Sequence, residues 1–342
     1  MHPATLFVVC LTALTCVTST QGQCVPGDNC NPPDCRCWND FSVPGGFDPL
    51  DVPQVVLITF QYAISTVNEA TYLRLFEGFT NPNNCPAVGT FYVQSTNTDF
   101  TIVKELSDLG FEIGITTADG TVPQSEADWR TSLTEVRDAV VASGVPAEQI
   151  TGFRAPSLQS GGDPEFSALA VSQLQYDASC STTTYDQEAN LLWPYTYDFP
   201  ADAPLCNGGS PPITEYPGIW QFTVPDLQFN GVKCATPPAC TGVLTQRDVF
   251  NLFYDSFVNH YQGRRTPFVI IITPDWLLEQ YRMDGTRQFL QFIRAAFEDT
   301  WILTTSQSLE WIKNPVSNAN TTDYAPGHVL DQVWRNGLFT CR

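Results

Sequence analysis

Short runs of β-branched and aromatic residues recur along this chain, spaced so that a helix fits between most of them: VVLITF, GTFYV, EIGITT, ITGFRAP, YDAS, GIWQFTV, FVIIIT and TWILTTS. Several are apolar almost without a break, the pattern of a strand buried on both faces. Helical spacing fills the intervals at 66–79, 99–109, 126–143, 163–173, 246–261 and 286–297. The third of these sets Trp129, Leu133, Val136 and Val140 on one face. Strands alternating with helices predict an α/β fold with a parallel sheet. Seven or eight strands point to a (β/α) barrel, distorted or incomplete. A doubly wound sheet is the alternative, but its first strand is usually followed by a glycine-rich phosphate turn, and FQYAIS has no glycine.

The ends of the chain read differently. Residues 6–17 form an apolar core too short to span a bilayer, and small and polar residues follow it, so 1–22 reads as a secretory leader. No later apolar run approaches the roughly 20 residues of a membrane helix. The expectation is an exported, extracellular protein with no membrane span. Residues 23–53 are rich in Cys, Pro, Gly and Asp and form a stapled lead-in. The main domain covers 54–315, and 316–342 is a tail closed by Cys341. Asn320 sits in a glycosylation acceptor, Asn-Thr-Thr. A net charge of −20 argues against nucleic acid and against anionic membranes.

Ten cysteines remain after the leader, an even number that reads as disulfides in an exported chain. Cys234 with Cys240 is the one pairing to propose, because TPPAC turns the chain back toward GVKC. Cys180 has no obvious local partner. The rival reading is a zinc site built on Cys35-Arg36-Cys37, but no second close cysteine pair has the spacing to complete it.

In a barrel the site forms where strands end. The first strand delivers Gln61 and Tyr62; the next groups are Thr116, Thr117 and Asp119, then Arg154, Pro156 and Ser157, then Asp177, and finally Thr273, Asp275 and Trp276. Loops add Trp193, Tyr195 and Trp220. No strand end carries a histidine, so neither a zinc set nor a Ser/His or Cys/His pair can be assembled. Asp119, Asp177 and Asp275 could work in pairs on a glycosidic bond, or cap helices and close turns. His260 and His328 read as surface or capping residues, and Trp129 and Trp301 as core.

These residues carry a family. The segments PQVVLITF, NPNNCPAVGTFYV, LGFEIG, ITGFRAPSLQSGGD, YDASCS, LWPYTYD, YPGIWQF, NHYQGRRTPF and TWILTTSQSLEWIKNP, with the tail VWRNGLFTC, resemble in order the polysaccharide deacetylases of carbohydrate esterase family 4. Within that NodB-homology fold they resemble most the secreted chitin deacetylase-like proteins of arthropods. The resemblance implies a distorted (β/α) barrel. In active members the first motif reads TFDD, a general base followed by a metal ligand; here those positions are Gln61 and Tyr62. The two histidine ligands of the second motif fall at Thr116 and Gly120, and the general-acid histidine at Thr273. Arg154, Pro156, Asp177 and the Trp193-Pro194-Tyr195 segment match the frame.

A metal lowers the pKa of its bound water from about 15.7 to about 7, and losing a positioned acid or base costs a further ~10²- to 10⁴-fold. An amide cannot take a proton, and an unperturbed phenol titrates near about 10. No metal, no other cofactor and no family-type deacetylation are therefore expected. The reading is a non-catalytic protein that binds chitin or a related glycan through Arg154, Pro156, Trp193, Tyr195, Trp220, Asp275 and Trp276. The alternatives are a glycan hydrolase that has relocated its chemistry to Asp119 or Asp275, and a regulator that binds an active relative or other extracellular matrix proteins.

Overall fold

The computed structural model describes residues 23–201 and 204–318; the leader, Asn320, His328 and Cys341 lie outside them. The main sheet has nine strands: β1 (Gln54–Tyr62), β2 (Thr90–Val93), β3 (Glu112–Ile115), β4 (Gly152–Phe153), β6 (Tyr176–Thr182), β7 (Tyr195–Tyr197), β9 (Tyr216–Pro225), β12 (Phe268–Ile272) and β13 (Thr300–Leu303). Two short pairs lie apart, β5 (Ser160–Gly161) with β8 (Gly209–Ser210) and β10 (Leu227–Phe229) with β11 (Val232–Cys234). Every ladder in the main sheet is parallel except β7 on β9. The order β12-β1-β2-β3-β4-β6-β9 follows the chain after one step. A doubly wound sheet would reverse direction at a switch point, so the fold is a barrel. It is incomplete, because no ladder joins β12 to β9 among the described residues.

Residue alternation along β1 sets the two faces. Val56, Ile58 and Phe60 point outward into the layer shared with the helices. Val55 and Leu57 point inward and join the interior cluster with Tyr92, Tyr176, Trp220 and Trp301. Thr59 and Gln61 continue the inward row, so the interior turns from apolar to polar toward the carboxyl ends of the strands.

Among the described residues seven α-helices surround the sheet: α1 (Glu69–Phe76), α2 (Phe100–Asp108), α3 (Glu126–Ala142), α4 (Asp163–Val171), α5 (Gln246–Gln262), α6 (Gln280–Ala296) and α7 (Thr305–Lys313). Local signals start several of them. Asp99 caps α2 and Ser125 caps α3, while Thr245 with Asp248 and Thr304 with Gln307 form capping boxes on α5 and α7. Helix α1 is shorter than its apolar pattern suggested, because Asn68 accepts from the Ser65 N–H at 2.9 Å and holds a turn ahead of it. Helix α6 starts before Thr286 and runs through Gly285, where a Cβ would sit 2.6 Å from the Gln246 carbonyl oxygen; glycine lets α6 approach α5. Helix α7, not anticipated as a helix, brings Leu309, Trp311 and Ile312 into the interior cluster.

Disulfides Cys24–Cys37 and Cys30–Cys35 hold the lead-in, so the sulfurs of the Cys-Arg-Cys run are not available as zinc ligands. The lead-in lies along β7: Thr196 donates its N–H to the Arg36 carbonyl at 2.9 Å, and the Arg36 N–H reaches Thr196 Oγ1 at 3.2 Å. Cys234 bonds Cys240, and Cys180, expected to lack a local partner, bonds Cys206.

His260 is a correction to the sequence reading. It is buried on α5, with Nδ1 3.0 Å from the Thr266 carbonyl and 2.9 Å from the Thr266 hydroxyl. Its face of α5 is the apolar one that packs on Phe268. Burial lowers its pKa to about 4, against about 6.5 in an unfolded chain. The neutral ring therefore belongs to the folded state. Its contribution is complete above pH ~6.5 and falls away as the pH drops toward 4, by about 2–3 kcal/mol at one pKa unit per ~1.4 kcal/mol. Urea unfolding of the parent and of His260→Asn at pH 7 and pH 4.5 isolates this effect. The parent should lose that much more stability than the variant, and equal losses would contradict the assignment.

Candidate functional site

Three strands meet where the inward row turns polar. β1 carries Thr59 and Gln61, β6 carries Asp177 and Ser179 at the same spacing, and Arg154 follows β4. Arg154 is completely buried. Its Nη1 donates to Thr59 Oγ1 at 2.7 Å, its Nε donates to the Ala178 carbonyl at 2.9 Å, and its guanidinium lies 4.3 Å from the centre of the Tyr92 ring. Nη2 has no partner, and Arg154 makes no ion pair among the described residues. Burial pushes its pKa down, opposed by neighbours that include Asp177.

Asp177 is held just as tightly. Its carboxylate accepts from the Ser179 N–H at 3.0 Å, from the Ser179 hydroxyl, and from Gln221 Nε2 at 2.7 Å. Burial raises its pKa, while the bonds from Ser179 and Gln221 pull it back. Glu165 on α4 is buried behind it, pushed well above the usual carboxylate range by the same cause, with one carboxylate oxygen unpartnered. Ser179, Gln221 and Glu165 were not read from sequence. Ser179 was the legible one, since it lies two residues beyond Asp177 on the same strand and shares its face.

Gln61 closes the top of this layer. It is buried, and Nε2 donates to the Ala155 carbonyl at 3.1 Å, with Thr116 Oγ1 at 3.3 Å. Tyr62 has φ +86°, a left-handed conformation costly for a bulky side chain. Its hydroxyl accepts from the Ser157 N–H at 3.3 Å, and Ser157 has φ +53°. The Tyr62 ring lies over Gly120: a Cβ there would stand 3.5 Å from it and 2.9 Å from Gln94 Oε1, on a backbone with φ +75°. Tyr62 thus reaches from the end of β1 across to the loop after β4. Thr116 is buried beneath, and Thr273 is half-buried at the start of the turn after β12.

The donor set at positions 62, 116 and 120 is a phenol, a buried hydroxyl and no side chain, which does not fit a divalent metal. Only one group of three His, Cys, Asp or Glu residues lies close enough for a metal among the described residues. It is Cys24, Cys30 and Cys37, whose sulfurs are in disulfides. Asp119 and Asp275 are both exposed. Asp119 accepts from the Thr121 hydroxyl at 2.7 Å and its N–H at 3.0 Å, bonds that hold its pKa below the usual carboxylate value.

The expected aromatic groove is not there. Trp193, Tyr195, Trp220 and Trp276 are each no more than 2% exposed. Trp193 stacks on Trp311 of α7 at 5.9 Å, and with Trp220 it belongs to the interior cluster. Tyr195 packs on Tyr197, and Trp276 lies in the outer layer with the Arg282 guanidinium 4.6 Å from its ring centre. Pro156 is buried as well. Large rings close to strand ends were drawn into the two cores because burying that much apolar surface outweighs keeping it wet. Of the seven proposed glycan contacts, only Asp275 is exposed.

No family model matches the chain. It is similar to chitin deacetylase 8 of Bombyx mori, 30% identical over 304 residues that cover 84% of this chain and 77% of that protein. It is also similar to chitin deacetylase 1 of Bombyx mori, 28% identical over 317 residues, 87% of this chain but 58% of that protein. In three dimensions it resembles a Mycobacterium smegmatis protein assigned as a polysaccharide deacetylase, with TM-score 0.52, 18% identity, and coverage of 83% of this chain and 94% of the other. PuuE allantoinase aligns with TM-score 0.52 at 14% identity, covering 79% and 96%. These two structures speak to fold alone.

Trp193→Ala and Trp276→Ala should each cost about 3–5 kcal/mol of stability, the range for emptying a large aromatic site in a core. Urea midpoints test this. A midpoint close to the parent's for either variant would contradict the burial described.

Proposed function

This chain belongs to the chitin deacetylase family of NodB-like polysaccharide deacetylases, and from that premise we propose that it is an extracellular, chitin-associated member that does not carry out metal-dependent deacetylation. The observation that carries the reading is the seating of Gln61 and Tyr62. Family chemistry wants a base and a metal ligand at these positions. Here the amide donates to a backbone carbonyl, and the phenol lies across the mouth over Gly120. The only histidine among the described residues is His260, buried on α5. With neither a carboxylate nor a histidine at the family's base, ligand and acid positions, Gln61, Tyr62, Thr116, Gly120 and Thr273, the loss amounts to several steps of ~10²- to 10⁴-fold each.

The disulfides and the leader-like start support an extracellular setting. The names of its relatives support chitin as the glycan. With the large aromatics buried, contact with a sugar falls to the polar rim: Tyr62, Ser157, Gln159, Asp119 and Asp275. Such a rim binds weakly and without stacking. The relocated-hydrolase alternative needs a carboxyl that stays protonated near neutral pH, and Asp119, held low by Thr121, is unsuited to that role.

The test uses the purified mature chain with acetylated chitin oligomers and added zinc or cobalt. Neither the parent nor the Gln61→Asp/Tyr62→Asp double variant should release acetate above a protein-free blank. Acetate release by the parent would sink the non-catalytic reading. The glycan half is read by retention on chitin at about 0.5 M salt, where screening is nearly complete. Retention only at low salt, or only on cationic chitosan, would mean surface charge rather than recognition.

A further inference from the structure

Glu165 stands in the first turn of α4 and is fully buried. Its Oε2 accepts from the Gly161 N–H at 2.6 Å, while Oε1 has no donor aimed at it. Asp177, on β6, is buried to the same degree, and its charge acts on Glu165. The Asp177 oxygens already take three donors, two from Ser179 and one from Gln221. Tyr197 donates to Gln221 Oε1 at 3.0 Å, which fixes the amide with its nitrogen toward Asp177.

The charges around these two carboxyls do not balance if both are ionised. Arg154 is the cation that acts on Asp177, and neither carboxyl enters an ion pair among the described residues. From β7, Tyr195 and Tyr197 bring phenols whose pKa burial pushes up. From β9, Gln221 and the half-buried Tyr216 are neutral too. On α3, Glu126 and Arg130 pair with each other and with Ser167. The N-terminus of α4 favours an anion, but Asp163, which accepts from the Thr214 hydroxyl at 2.8 Å, already answers that preference. One guanidinium thus serves two buried carboxyls. Burial and the Asp177 charge both push Glu165 well above the usual carboxylate range. A neutral acid must carry its hydrogen on one oxygen, and Oε1 is the oxygen left without a donor.

We propose that Glu165 and Asp177 together hold one proton, carried on Glu165 Oε1, and that this proton latches the loop of residues 156–162 to the barrel. The loop starts beside the mouth, where the Ser157 N–H reaches Tyr62, and runs to Gly161, which Glu165 holds directly. When the proton leaves, two anions share one cation in a buried space and repel. Relief comes from moving the first turn of α4 toward water, and Gly161 and the loop move with it. Unfolded, the Glu165 carboxyl titrates near about 4.3; folded, it keeps its proton to higher pH. Its contribution to stability is therefore complete below that unfolded value and is lost as the pH climbs toward the folded one.

Glu165→Gln keeps the shape and the hydrogen of the neutral acid but cannot ionise, so the parent is compared with this variant. Infrared difference spectra in heavy water near neutral pH should show an acid carbonyl band in the parent that the variant lacks. A difference confined to carboxylate bands would overturn the shared proton. Urea unfolding at pH 4.5 and 7.5 should show the parent's unfolding constant rising at least tenfold relative to the variant's, within a limit of about tenfold per pH unit. A constant ratio, or a variant less stable than the parent at pH 7.5, would count against it equally. Hydrogen exchange near pH 9.5 reads the latch. Amides 158–161 should exchange at least tenfold faster in the parent than in the variant, with those of β1 unchanged as the control for folding. Equal rates at 158–161 would overturn the latch.

Discussion

β1 is hydrogen-bonded along both edges, and the rest of the molecule is arranged around that fact. β12 runs along one edge, and the other is shared, with β13 pairing Gln54 to Leu57 and β2 pairing Thr59 to Tyr62. Its faces are covered as well, by the helix layer on one side and the barrel interior on the other, so both rows of its side chains find packing partners. Its outward row commits the helices to one layer. Its inward row commits the barrel interior to apolar residues at one end and hydrogen-bonding ones at the other. The geometry of Arg154, which needs Thr59 at 2.7 Å, follows from the register of this single strand.

The buried guanidinium in turn explains why the surrounding frame is so fully bonded. A desolvated cation without a paired anion is costly. Here the charge is distributed among a hydroxyl, a backbone carbonyl and the face of Tyr92, with Asp177 acting from beyond ion-pair distance. Where the family resemblance places a carboxylate above this charge, the chain has Gln61, which turns its amide to the Ala155 carbonyl. The frame around Arg154 holds together as a packing and hydrogen-bonding arrangement in its own right.

Most of the strands were legible because a strand buried on two faces cannot be polar. Even β4, two residues long, was marked by ITGFRAP. The starts of α2, α3 and α5 were legible from helical spacing of apolar residues, whereas α7, although it has a capping box, follows directly on β13 and was read as part of that strand. What could not be read was depth. Trp193 and Trp276 both follow strand-end positions, and a sequence does not say whether the chain there runs over a mouth or folds back into a core. Trp193 is decided by Trp311 on α7, far away along the chain. His260 was misread for a related cause. Its neighbours in sequence are polar, but the face of α5 it occupies is set by Phe253 and Phe257. The pairing of Cys180 with Cys206 likewise depended on how the chain beyond β7 returns to β6.

The lead-in also lies along the outer edge of the barrel's sheet. β7 is the last strand of the sheet, and the outermost strand of any sheet is a template on which another chain can add a strand. In this molecule Arg36 lies against the middle of that template, its carbonyl accepting from the Thr196 N–H and its own N–H reaching the Thr196 hydroxyl, and two disulfides fix the shape of the lead-in that presents it. An edge strand covered in this way offers fewer open backbone groups on which a further strand could be laid.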